Sequence, residues 1–246
     1  MPYGVGAGRK LLDERRRELM KKVFFCLVCS VLLLNLGCDR KPEAEVAGKV
    51  AMKTEYTIVA MGDSLTEGLG VLPNEAYPAR LEQILQERGW PVEVINAGVS
   101  GETSAGALSR VDWIISRLRP DLVILVSGAN DGLRRIAVDD MEKNLDEVLR
   151  RMDAAGIPVI LGGMQMFFNL GPAYVKEFEA VYPGLAKKWD VELIPFFLEG
   201  VAGEPSMNQS DGIHPNAKGY ERITDQLLPF VERKLEKAGL DLFGSG

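Results

Sequence analysis

From Tyr56 to Lys237 the chain alternates between two spacings of apolar residues, and no other feature restricts its fold as much. Short, nearly continuous apolar runs rich in β-branched residues occur at residues 56–61 (YTIVAM), 91–97 (PVEVINA), 121–126 (DLVILV), 158–163 (PVILGG) and 191–196 (VELIPF). Longer stretches with helical spacing separate them, at 77–88, 103–118, 139–155 and 172–189, and a last one covers 216–237. An apolar run without polar alternation suits a strand covered on both faces. Five such runs alternating with helices predict one α/β domain around a five-stranded parallel sheet. Pro229 removes a backbone donor from the last stretch and is expected to kink or split that helix. Sheets of this kind bind ligands beyond the carboxyl ends of their strands, so the chemistry is sought there.

Four short segments answer to that location. The first run leads into MGDSLTEG, where Gly62 suits a tight turn and Ser64 stands where a helix begins, with free N–H groups and a positive dipole end nearby. The second leads into NAGVSGETS, in which Gly101 lets a backbone N–H approach a ligand closely. The third leads into SGAND, where the Asn130 amide offers two donors. The fourth, QSDGIHP, holds His214, the only histidine in 246 residues, with Asp211 three residues before it and Pro215 after it. Histidine takes and releases protons near neutral pH, and the three-residue step lets Asp211 reach the Nδ1 side of the ring. Taken singly, each segment has an ordinary explanation. Serine caps helices, Gly-Glu-Thr-Ser makes a turn, Asn starts an Asx turn, and a lone histidine is often structural.

In order, however, the segments read Gly-Asp-Ser, Gly, Gly-x-Asn-Asp and Asp-x-x-His. On these residues the chain resembles the SGNH (GDSL) hydrolase family over about residues 56–236, matching its four namesakes at Ser64, Gly101, Asn130 and His214. NAGVSGETS, GANDGLR, YPGLAKKWDVELIPFF and QSDGIHPNAKGY look most like the bacterial thioesterase I, lysophospholipase L1 and arylesterase branch. The resemblance implies a flavodoxin-like three-layer sandwich, the SGNH hydrolase fold, in a domain spanning 56–240. It also implies a serine esterase acting through an acyl-enzyme, with Ser64 as nucleophile, His214 as base and Asp211 supporting the imidazolium. The oxyanion is then held by the N–H groups of Ser64 and Gly101 and by the Asn130 amide, and no cofactor is required. Met164, Met166, Phe167 and Phe168, after the fourth run, are candidates for an acyl pocket, being apolar and adaptable; residues of this kind also serve as core. The expected substrates are acyl esters or thioesters. A carbohydrate O-acetylesterase of the same family and a non-catalytic flavodoxin-like binding module are the alternatives.

The N-terminal part has a different character. Residues 1–22 hold seven Lys/Arg and three Asp/Glu, a basic extension of +4; since the whole chain carries −6 and residues 23–38 carry no charge, the rest stands at −10. An acidic body repels a phosphate backbone, which argues against nucleic acid as partner. Val23 to Leu36 is a mostly apolar run of 14 residues. It is short against the roughly 20 needed to span a bilayer and has the length and flanks of a signal peptide. Leu36-Gly37-Cys38 resembles a bacterial lipoprotein cleavage site, making Cys38 a lipidation candidate, although Asn35 replaces the usual leucine; Asp39 after it implies retention at the inner membrane. A signal peptide or lipoprotein anchor over 23–38, a linker over 39–55 and a monomeric, exported, membrane-tethered enzyme on the periplasmic side are therefore expected, with a soluble periplasmic or secreted form as the alternative. All three cysteines (Cys26, Cys29, Cys38) lie in this part, so the body can form no internal disulfide. With one histidine and no cysteine it also lacks the usual zinc ligands, and no metal site is assigned.

Overall fold

The first apolar run becomes the middle of the sheet. Strand β1 (Tyr56–Gly62) pairs in parallel with β2 (Val92–Gly98) on one side and β3 (Leu122–Val126) on the other, and β4 (Val159–Gly162) and β5 (Glu192–Ile194) extend the β3 side. The order is thus β2-β1-β3-β4-β5. This computed structural model describes residues 56–240; the basic extension, the 23–38 segment with Cys38 and the 39–55 linker lie outside the described residues. β3 is buried at every position, which is why its sequence lacks alternation. The edge strand β2 instead alternates, with Glu93 exposed between buried Val92 and Val94.

Seven helices follow from the intervening stretches: α1 (Ser64–Glu67), α2 (Tyr77–Glu87), α3 (Ser104–Trp113), α4 (Ala129–Leu133), α5 (Val138–Ala154), α6 (Pro172–Trp189) and α7 (Ala217–Lys237). In α5, Met141, Leu145, Val148, Leu149 and Met152 form the single buried stripe expected of a helix lying on a sheet. Helix α2 packs against α7, whereas α5 packs against α3 and α6. Right-handed crossovers place these two groups on opposite faces, because the chain first steps from β1 to β2 and then returns across β1 to reach β3. That reversal leaves a crevice at the carboxyl ends of β1 and β3, where such sheets bind ligands.

Two expectations about helices are corrected. Helix α7 is not split at Pro229; Leu227 and Leu228 before it and Val231 and Leu235 after it are all buried in the core and anchor both halves. The 103–118 stretch is not one regular helix: α3 ends at Trp113 and a wider π-type turn covers Ile114–Leu118 before Arg119 adopts a left-handed conformation.

At the carboxyl end of the sheet Gly62 of β1 lies opposite Gly98 of β2. A Cβ on Gly98 would stand 2.7 Å from the carbonyl carbon of Thr66 and closer still to the backbone nitrogen of Glu67. Only glycine there lets α1 sit directly against the strand ends.

Candidate active site

Asp63, not Ser64, caps α1: its carboxylate accepts the Leu65 N–H at 3.0 Å. The serine is thereby left as the first helical residue with its hydroxyl available. Ser64 Oγ lies 2.9 Å from His214 Nε2, and His214 Nδ1 lies 2.6 Å from Asp211 Oδ2. The other Asp211 oxygen accepts the backbone N–H groups of Ile213 and His214 at 2.9 and 3.0 Å, so one carboxylate holds both ring and loop. The bond to His214, joined by these two N–H groups, lowers the Asp211 carboxyl to about 2. An anion at Nδ1 favours the ring tautomer with its hydrogen there, leaving Nε2 to accept from the serine hydroxyl. The loop is anchored from below. Gln209 N–H donates to His214 O at 2.8 Å, and the Gln209 side chain donates to Leu69 O at 2.7 Å just beyond α1. Asn216 caps α7 by accepting from Lys218 and Gly219.

Asn130 sits in α4, and its Nδ2 donates to Asp63 Oδ2 at 3.2 Å, using one of its two hydrogens. Gly101 takes a positive φ of 76°, a conformation that glycine adopts without strain. Among the described residues no acceptor is found for the N–H of Ser64 or of Gly101. Asp63 is 2% exposed, and burial lifts its carboxyl to about 6 against the lowering effect of the Leu65 N–H and the Asn130 amide.

Ser64, Asn130 and His214 share the wall of one cavity of about 400 Å³. Gly101 does not line it; it stands beside α1 on the Val99–Glu102 turn, whose Val99 N–H donates to Gly62 O at 2.9 Å. All four acyl-pocket candidates border the cavity, in two different ways. Met164 and Met166 are buried walls, while Phe167 and Phe168 are 53% and 91% exposed at the mouth. Leu133, Phe196, Leu198 and Ile213 add to the apolar lining; sequence reasoning passed over them, although Phe196 stands in the quoted VELIPF run. It also missed Asp131, which is buried and accepts both the N–H and the hydroxyl of Ser104 at 2.8 and 2.6 Å. That contact locks the segment after Gly101 to the one holding Asn130. The recurrence of Asp in GDS and AND was the available signal.

Residues 60–222 match the GDSL-like Lipase/Acylhydrolase family. The chain is 38% identical over 176 residues to esterase TesA of Pseudomonas aeruginosa, covering 72% of this chain and 88% of that protein. It is 37% identical over 179 residues to thioesterase 1/protease 1/lysophospholipase L1 of Escherichia coli, covering 71% and 85%. Among solved structures, the psychrotrophic esterase EstA from Pseudoalteromonas sp., inhibited by monoethylphosphonate, superposes with a TM-score of 0.71 at 31% identity, covering 74% of this chain and all of that one. A serine bonded to an imidazole above an apolar cavity, on a sheet of this order, agrees with each of these, and the chain belongs to the GDSL-like lipase/acylhydrolase family as a hydrolase of carboxylic esters.

Proposed function

We propose that Ser64, His214 and Asp211 hydrolyse medium- and long-chain acyl esters and thioesters through an acyl-enzyme on Ser64. The observation that carries this reading is the continuous Asp211–His214–Ser64 hydrogen-bonded relay opening onto an apolar cavity of about 400 Å³. Ser64 Oγ attacks the acyl carbon as His214 Nε2 takes its proton. The resulting imidazolium is held by ionised Asp211, which need not accept the proton. Charge on the carbonyl oxygen is met by the Ser64 and Gly101 N–H groups and by the second Asn130 amide hydrogen. His214 then protonates the leaving alkoxide or thiolate. Water then attacks the acyl carbon as His214 takes its proton, and His214 returns that proton to Ser64 Oγ as the acid leaves.

The methionine walls and the phenylalanine mouth support an acyl chain of some length, since apolar surface removed from water contributes roughly 25 cal/mol per Å². Hydrolysis of p-nitrophenyl esters from acetate to palmitate tests this. Activity should rise from acetate to a maximum at medium or long chains; a maximum at acetate would instead indicate a small-acyl esterase such as a carbohydrate deacetylase.

The relay and cavity are assembled within one chain, which supports action as a monomer. Export and tethering through lipidated Cys38, on the periplasmic side of the inner membrane, complete the proposal and are supported by the apolar run Val23–Leu36 and the Leu-Gly-Cys sequence. Radiolabelled palmitate fed to bacteria making the full chain should enter the protein and be absent from a Cys38→Ser variant. Equal labelling, or none, would remove the lipoprotein assignment and leave a plain signal or anchor.

A further inference from the structure

We propose that Glu67 and Arg134 are positioning residues that grip the turn carrying Gly101 from two sides and aim the Gly101 N–H at the developing oxyanion; this rests on the oxyanion role given to Gly101 above. Within the turn, Val99 N–H is used by Gly62 O and Glu102 N–H by Val99 O, at 2.9 and 3.0 Å. Ser100 N–H donates to Glu67 Oε2 at 2.9 Å, and the Ser100 hydroxyl donates to the same oxygen. Beyond the glycine, Arg134 Nη2 donates to Gly101 O at 2.7 Å. The Ser100–Gly101 peptide unit therefore lies between two held ones, Val99–Ser100 gripped by a carboxylate and Gly101–Glu102 by a guanidinium. Its own N–H is left without an acceptor among the described residues.

Gly101, at a φ of 76° and without a side chain, has little else to fix that peptide. The two grips also come from significant places. Glu67 ends α1, the four-residue helix that Ser64 begins, and Arg134 directly follows α4, which holds Asn130. Each grip therefore ties the Gly101 donor to an element carrying another part of the oxyanion site. Glu67 is exposed and its negative charge near a forming oxyanion would by itself oppose the reaction, so its use there calls for a geometric reason. The two explanations differ in sign. Glutamine keeps an acceptor oxygen and removes the charge, so a purely electrostatic effect makes Glu67→Gln faster than wild type, whereas positioning leaves it near wild type.

The test measures kcat and KM on p-nitrophenyl butyrate and the inhibition constant of an alkyl trifluoromethyl ketone, whose serine adduct carries an oxyanion, for Glu67→Gln, Glu67→Ala, Arg134→Met and the Glu67→Ala/Arg134→Met double variant. Thermal melts accompany each. Misplacing a donor of this kind costs about 10- to 100-fold. Glu67→Ala should therefore lose about that factor in kcat with KM within about two-fold, and the ketone should weaken in parallel. Glu67→Gln should stay within about three-fold of wild type. The double variant should fall short of the product of its singles, because both grips act on one turn. Glu67→Ala with kcat and ketone affinity within about two-fold of wild type overturns the proposal, as does lost kcat with unchanged ketone affinity or a Glu67→Gln variant more than about three-fold faster than wild type. If Glu67→Ala melts below the assay temperature, Arg134→Met decides by the same criterion. A wild type that neither hydrolyses the ester nor binds the ketone overturns the oxyanion reading and the brace with it; an active wild type with unaffected variants overturns the brace alone.

Discussion

Ser64→Ala should lower kcat for ester hydrolysis by about 10⁴-fold or more while leaving the fold intact, the loss typical of removing the nucleophile from a serine relay. The physical basis is the absence of a substitute. Ser64 is the hydroxyl in contact with His214 Nε2, and it starts a helix whose cap is Asp63, so losing its side chain removes the attacking oxygen without uncapping α1. His214→Ala should cost a comparable amount, since the chain has no second imidazole. The double variant should be no worse than either single one, because nucleophile and base act as a unit. Residual turnover would come from binding and from the remaining donors. The measurement is steady-state kinetics on the best p-nitrophenyl ester, with circular dichroism to show that each variant is folded. A Ser64→Ala protein keeping more than about 1% of wild-type kcat would mean that another group attacks the ester.

Much of this arrangement was legible in the sequence, and the legible part has a common physical origin. DLVILV reads as a buried strand because β3 is covered on both faces, so its composition reports its surroundings directly. Asp211 and His214 could be paired by short-range geometry, because Asp211 reaches both the ring and the backbone of a residue three positions on; joining Ser64, 150 positions away, to them rested on the resemblance carried by the four segments in order. Legibility failed where a residue answers to something distant. VELIPF yields a strand of only three residues, Glu192–Ile194; Pro195 has no N–H for the ladder, and Phe197 beyond the run, whose N–H still reaches Gly163 O at 2.8 Å, packs its ring edge-to-face on Tyr77 with centroids 5.3 Å apart. Phe167 and Phe168 were grouped with Met164 and Met166 by apolarity, yet the methionines continue from β4 into the core while the phenylalanines lie on the turn beyond it. The contacts around the proposed oxyanion site, Asp63 with Asn130, Asp131 with Ser104 and Glu67 with Ser100, join residues 67, 27 and 33 positions apart. No local pattern announces them, because each exists only once the sheet brings the ends of different strands together.

Asn130→Ala should lower kcat by about 10²- to 10³-fold, the usual result of losing one oxyanion donor, and should also change how stability depends on pH. The second effect follows from Asp63. Its buried carboxyl titrates at about 6 when folded against an ordinary value of 3.8. Between those values the folded state holds a proton that the unfolded state has released. Stability therefore declines as pH rises through that window and is level above it. Burial sets this direction, and the Asn130 amide works against burial by donating to the ionised form at 3.2 Å. Alanine at 130 leaves the ionised carboxylate with the Leu65 N–H as its capping donor, so the window should extend to higher pH and the variant should lose most stability, relative to wild type, above pH 6. Asn130→Asp should behave worse on both counts, placing a second carboxylate against the first and replacing a donor with an acceptor. Urea denaturation of wild type and Asn130→Ala across mildly acidic to neutral pH gives the stability profiles, and kcat on the same ester series gives the catalytic loss. Parallel stability profiles would remove the link between Asn130 and the Asp63 charge. A kcat within about ten-fold of wild type would mean that the oxyanion is held by the two backbone N–H groups alone, with the amide serving only to satisfy a buried acid at the start of α1.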